Sequence, residues 1–237
     1  METALLICFL LLSSCSARIN GVLRQGGSAD LTIQVALEPR MSSLIRSLNA
    51  VMGHTSSELI LDGDSISSSM AASPGISSVN LVNTGPAALE GGVAVSRVED
   101  FISAVGERRF ISYWEGLDRG RSSGRILITL DRETISELLV LFSTQAIDYL
   151  TALMAPAVLG DDISKEEYLV LVNSLYGQGI VDEIRDAMIL ASIDFPAPIT
   201  AIRGGTVSGS RRAEFALPLL DLLVLENPMS WEVSWQQ

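Results

Sequence analysis

The chain has 237 residues, 48% of them hydrophobic and 19% charged, and a formal net charge of −12 from 16 Lys+Arg against 28 Asp+Glu. That length is enough for one large or two small domains with a full core, and the composition is that of a globular protein rather than a disordered or coiled-coil chain. The acidic balance argues against a partner made of phosphates, so nucleic acid is excluded as an expected ligand. A single His (His54) and two Cys (Cys8 and Cys15) are too few for a zinc or iron centre, and no metal or cofactor is expected.

The chain opens with nine apolar residues from Ala4 to Leu12, far short of the roughly 20 that cross a bilayer as a helix but of signal-peptide length. Leu12-Ser13-Ser14-Cys15 follows directly. This tetrad resembles the lipobox of bacterial lipoproteins, with Cys15 as the residue to be acylated and residues 1–14 as the peptide to be removed. The resemblance implies attachment of the protein from Cys15 onward to a membrane through its acyl chains. Two or more chains are required for stable anchoring, since each buried CH₂ is worth only about 0.8 kcal/mol. The leader departs from the pattern in having Glu2 and no Lys or Arg before its apolar run.

After the Cys, Ala17 to Arg24, the Gln25-Gly26-Gly27-Ser28 turn and the alternating Leu31, Ile33, Val35 and Leu37 predict a hairpin with one buried face. Pro39 then starts an amphipathic helix on Met41, Leu44, Ile45, Leu48 and Met52, stopped at Gly53. A short helix is expected within Asp62 to Met70, a second hairpin from Val79 to Val82 and Gly92 to Arg97 about Gly85-Pro86, and a short helix on Val98, Phe101, Ile102 and Val105.

The same plan is expected a second time. Phe110 to Trp114 reads as a strand, Asp118 to Gly124 as a turn, and Ile126, Ile128 and Leu130 repeat the spacing of Ile33, Val35 and Leu37. Val93-Ala94-Val95 matches Phe215-Ala216-Leu217, and Phe110 to Trp114 is echoed by Met229 to Trp235. The expected architecture is therefore α+β, with antiparallel hairpins packed on amphipathic helices. It is divided as a tandem duplication: a leader at 1–14, a first unit at 15–107 and a second at 108–237. A helical insertion at 131–190 would hold helices from Glu133 to Leu153, Ser164 to Tyr176 and Ile180 to Leu190; a single compact domain over 15–237 is the alternative. Along the first of these helices, Ile135, Leu138, Leu139, Phe142, Ala146, Leu150 and Leu153 fall on one side.

The clusters that could carry chemistry have simpler explanations. Asp161 and Asp162 with Glu166 and Glu167 suit the start of a helix, where acids complement the dipole. Asp62-Gly63-Asp64-Ser65 opens like a calcium loop, but Ser73 stands where the bidentate acid belongs. Arg203-Gly204-Gly205 to Arg212 lacks the Gly-Lys-Ser/Thr of a phosphate loop and reads as a turn, as does Arg119-Gly120-Arg121 to Arg125. If those two Arg-rich turns share an edge, lipid headgroups are their expected neighbours. A Ser/His/Asp triad could draw only on His54, and no Gly-x-Ser-x-Gly elbow is present. No catalytic residue is assigned, and the three Trp (Trp114, Trp231, Trp235) are expected to pack.

Ser16 to Gly21, Ala36-Leu37-Glu38-Pro39-Arg40 and Trp231-Glu232-Val233-Ser234-Trp235 resemble, together with the lipobox, uncharacterised lipoproteins of spirochaetes over nearly the whole chain. The layout is more remotely similar to the mycobacterial LppM type of envelope lipoprotein, whose members are linked to lipid binding. These resemblances imply a cell-envelope location on the periplasmic or surface side of a membrane, a lipid anchor at Cys15, and a non-enzymatic module. Its expected partner is a lipid or other apolar ligand between helices and sheet. The alternatives are an assembly lipoprotein docking a protein partner, and a hydrolase built around His54.

Overall fold

The computed structural model describes residues 16–52, 59–105, 110–118, 120–135 and 144–237. The fold is mixed α+β, with eleven strands in two sheets and eight helices among the described residues. Cys8, Cys15, His54, Arg119, Leu138, Leu139 and Phe142 lie outside them.

The first hairpin forms as its alternation demands, from β1 (Ser16–Leu23) and β2 (Ala29–Ala36), with Ile19 opposite Ile33. Gly26 and Gly27 turn it with φ of +85° and +76°, a region open to glycine at little cost. Next come helices α1 (Pro39–Met52) and α2 (Gly63–Ala71) and the hairpin β3 (Ile76–Gly85) and β4 (Ala88–Val95). Helix α3 (Val98–Val105) leads to a third hairpin, β5 (Ile111–Asp118) and β6 (Arg121–Leu130). The turn expected over Asp118 to Gly124 is thus tighter, because Ser122 to Gly124 stay paired with β5.

Four helices follow, α4 (Thr144–Ala152), α5 (Pro156–Leu159), α6 (Lys165–Tyr176) and α7 (Gln178–Asp186). The helix expected to run from Ile180 to Leu190 ends at Asp186. Met188 to Asp194 form strand β7 instead, a correction with a clear cause. A continuous apolar run is compatible with either state by pattern alone, and here its backbone is claimed from both sides, by β1 in parallel and by β10 in antiparallel pairing. Strands β8 (Ile199–Arg203), β9 (Thr206–Ser208) and β10 (Arg212–Pro218), helix α8 (Leu219–Val224) and strand β11 (Met229–Gln236) complete the chain.

The larger sheet has the order β3-β4-β2-β1-β7-β10-β9 and the smaller β5-β6-β11-β8. The β1–β7 pair joins residues from either side of the boundary expected at 107/108. β4 and β10, matched to each other by sequence, have different neighbours: β4 lies between β2 and β3, β10 between β7 and β9. β8 and β9 are consecutive yet belong to different sheets, and the chain passes between them at Gly204-Gly205.

The smaller sheet packs on the inner face of the larger one at the end bearing the Arg24–Ser28 turn. There Trp235, Val233 and Phe195 meet Leu23, Ala29, Val95 and Ala213 in one core. Helices α1 and α4 to α8 gather at the opposite end, where β1 and β7 begin and β10 ends, whereas α2 and α3 pack beside β3 and β5. Their core is filled by Tyr168, Val172, Ile184 and Val224, each fully buried, with Met41 and Ile45 of α1. A third cluster, Phe110, Leu130, Ile135, Ala157 and Leu225, ties the smaller sheet to the helices.

Long-range capping completes the helix layer. The Glu183 carboxylate of α7 accepts hydrogen bonds from the backbone N–H groups of Arg40 and Met41, at 3.1 and 2.7 Å, where α1 has no acid of its own in its first turn.

Candidate functional site

A hollow of about 670 Å³ lies on the outer face of the larger sheet, within the size range of small-ligand sites. Strand alternation generates it. Residues that alternate with the buried Leu23, Ala29 and Ala213 must point away from the core, and register places them in two adjoining rows. One row runs Gln34, Arg18, Leu190 and Ala216 across β2, β1, β7 and β10; the next runs Asn20, Ser192, Glu214 and Thr206 across β1, β7, β10 and β9. Ser192 and Ala216 are small, which leaves space above the sheet. Gly204 and Gly205 close the far edge, and a Cβ on Gly205 would come within 2.5 Å of the Phe215 ring.

The charges on this face are mostly matched. Arg24 pairs with Asp30 at 2.5 Å, and Arg212 reaches both oxygens of Asp194 at 2.9 and 2.5 Å. That contact holds the Asp194 carboxyl below its ordinary range. Glu90 receives the Gln34 amide at 3.5 Å. Among the described residues, the side chains of Arg18 and Glu214 form no hydrogen bond or ion pair, although Glu214 acts at longer range on the already engaged Arg212.

A second hollow of about 390 Å³ lies where the first turn, the start of α3 and the end of β5 meet. One Glu115 oxygen accepts from the Tyr113 hydroxyl at 2.6 Å and from the Gly26 N–H at 2.9 Å. Burial and the adjacent carboxylate push the Tyr113 phenol up. The other Glu115 oxygen is buried without a partner, as is the indole nitrogen of Trp235. These two residues flank Gly124 in register, and a Cβ there would stand 2.2 Å from the Trp235 ring.

The acids singled out by sequence have structural roles. Ser164 and Glu167 form a reciprocal capping box on α6, Asp162 pairs with Arg132, and Asp62 caps α2 by accepting from the N–H groups of Asp64 and Ser65. Among the described residues no group of three or more His, Cys, Asp or Glu could hold a metal ion. Trp235 is buried, Trp231 half-buried, and Trp114 is 51% exposed, in contrast to its expected packing. It stands on the outer side of an edge strand, with Gly116 beneath its ring.

The two Arg-rich turns do come to one end. Ile199 N–H donates to Ser210 O, Gln236 N–H to Pro198 O, and Gln237 N–H to Ser122 O, which carries the β9–β10 turn to the β5–β6 turn. The run Arg203 to Arg212 also contributes Gly204, Gly205 and Thr206 to the first hollow. Sequence reasoning missed that hollow's polar residues. Their only signal was alternation, with Arg18, Asn20 and Gln34 opposite in phase to Ile19 and Ile33.

No family model matches the chain, and no curated protein matches it. Among solved structures it is similar to the folded domain of LppM from Mycobacterium tuberculosis, determined by NMR. The likeness covers 94% of this chain and 90% of that one, at 9% sequence identity and a TM-score of 0.37. Among the described residues no helix is long and apolar enough to cross a membrane.

Proposed function

We propose that this chain is a lipid-anchored, non-catalytic binding module of the cell envelope. The observation that carries this reading is the position of Ser16, the residue after Cys15. It is the first residue of β1, paired on one side with Ala36 and on the other with Met188. Acylation of Cys15 would therefore attach the folded body to the membrane without an intervening linker, through a strand end paired on both sides. The helix layer, clustered at that same end, would then lie nearest the membrane. The β-turn end, where both Arg-rich turns lie, would face away from it, about 25 Å further along β1 at roughly 3.3 Å per residue, so this reading replaces the expectation that lipid headgroups adjoin those turns.

The hollow on the outer face is the binding place in this reading. Its lining sets Arg18, Asn20, Gln34, Ser192 and Glu214 beside apolar Leu190 and Ala216, which favours a ligand with a polar head over a wholly apolar one. Cys15→Ala should move the protein from the membrane fraction to the soluble fraction and abolish acyl labelling. Retention of both would overturn the anchor.

A second reading, docking of an envelope protein, is favoured by Trp114 and Leu117, which are 51% and 76% exposed on edge strand β5. A photo-crosslinker placed at Leu117 in intact cells should then give a reproducible protein adduct. Its absence across growth conditions would remove this reading.

A further inference from the structure

We infer that the outer-face hollow binds a phosphoethanolamine group, with Arg18 holding the phosphate and Glu214 the ammonium. This deepens the reading of the hollow as a binding place and rests on it. Charge is used unequally on this sheet face. Arg24 and Arg212 are engaged by Asp30 and Asp194, and Glu90 by Gln34. Among the described residues Arg18 and Glu214, whose side chains form no hydrogen bond or ion pair, both line the same hollow, with Glu214 also in the field of Arg212. Two opposite charges that do not reach each other across a shared cavity suit a ligand carrying both.

Their spacing narrows the choice. β7 lies between their strands, and Glu214 is one same-face step along from Arg18, since Arg18 pairs with Leu190 and Glu214 with Ser192. Strands about 4.8 Å apart and a step of about 6.6 Å put the two Cα atoms about 12 Å from each other. With both side chains standing off the sheet, an α-amino acid, whose charges sit on adjoining carbons, spans less of that distance. A phosphate and a primary ammonium separated by two carbons fit better. The remaining lining also favours phosphate over carboxylate. Asn20, Gln34 and Ser192 add donors beside the five N–H groups of Arg18, and phosphate offers more acceptor oxygens to receive them. A primary ammonium can donate to Glu214, whereas a trimethylated one has no N–H to give.

Two sources share this chemistry, the headgroup of phosphatidylethanolamine and a free phosphoethanolamine. Proximity favours the lipid: Arg18 is three residues from Cys15 and lies in the half of β1 that the anchor would hold near the membrane.

The test uses the full chain carrying Cys15→Ala, so that binding is read independently of anchoring. Calorimetric titration with soluble phosphoethanolamine should show saturable binding at least tenfold tighter than with glycerol 3-phosphate, which lacks the amine. Arg18→Gln should weaken phosphoethanolamine at least tenfold. Glu214→Gln should bring phosphoethanolamine down to the affinity of glycerol 3-phosphate while leaving the latter unchanged, a loss of preference that misfolding would not produce. Competition by vesicles of equal parts phosphatidylethanolamine and phosphatidylcholine, but not by phosphatidylcholine alone, would assign the site to the lipid. Binding without vesicle competition would assign it to the free zwitterion. Equal affinity for the two soluble phosphates in the parent chain, or an Arg18→Gln variant that binds as the parent does, would overturn the inference. Neither result would touch the anchoring reading, which is read from membrane release.

Discussion

The two faces of the seven-stranded sheet are made by alternate residues of the same strands, yet they do opposite things. The inner face spends its residues on packing: Leu23, Ala29, Val95 and Ala213 are closed over by Trp235, Val233 and Phe195. The outer face is organised by charge, with Arg24–Asp30 and Arg212–Asp194 paired, while among the described residues the side chains of Arg18 and Glu214, which share the hollow, form no hydrogen bond or ion pair. With the proposed site on the outer face, stability and binding would be separated to the two sides of one sheet, and a substitution should affect one or the other according to its parity along the strand.

The largest effect should come from the inner side. Trp235→Ala removes a side chain only 1% exposed and should cost about 3–5 kcal/mol in denaturant unfolding. Trp235→Phe should cost less, because the indole nitrogen has no partner to lose. Gly124→Ala, whose Cβ would meet the Trp235 ring at 2.2 Å, should cost about 1–3 kcal/mol through overpacking. In the helix layer, Ser164→Ala breaks the capping box of α6 and should cost about 1 kcal/mol, measurable by thermal melting. On the outer face, Arg18→Gln should leave stability within about 0.5 kcal/mol. A large destabilisation by Arg18→Gln would break the comparison between the faces.

The outer pairs add a smaller, pH-dependent effect. Arg212 lowers the Asp194 carboxyl in the folded state, so the unfolded chain binds that proton more readily. The contribution is complete above the ordinary Asp range near pH 4 and is lost as pH falls through the lower folded value. Asp194→Asn should therefore flatten part of the acid limb of the stability curve and leave ligand binding at neutral pH intact.

What could be read from sequence follows the range of the interactions involved. The α+β class, the first hairpin and the α6 cap were legible because they depend on neighbours in the chain: alternation at Leu31, Ile33 and Val35, and Ser164 three residues before Glu167. Strand β7 was not legible, because its apolar run fits a helix as well, and only the pairing offered by β1 and β10 decides it. The support of α1 by Glu183 comes from a residue more than a hundred positions away. The hollow is the extreme case, since Arg18, Ser192 and Glu214 become neighbours only when β1, β7 and β10 align. The proposal of Cys15 as the anchor, by contrast, rests on the sequence pattern alone, since Cys15 lies outside the described residues.

The most direct test of the separation between the faces is an amide-resolved NMR titration of the full Cys15→Ala chain with phosphoethanolamine. The account predicts shifts concentrated at Arg18, Asn20, Ser192, Glu214 and Thr206, with the Tyr168–Val172 core of the helix layer unmoved. Shifts centred on that helix core, or none at the five sheet positions, would contradict it.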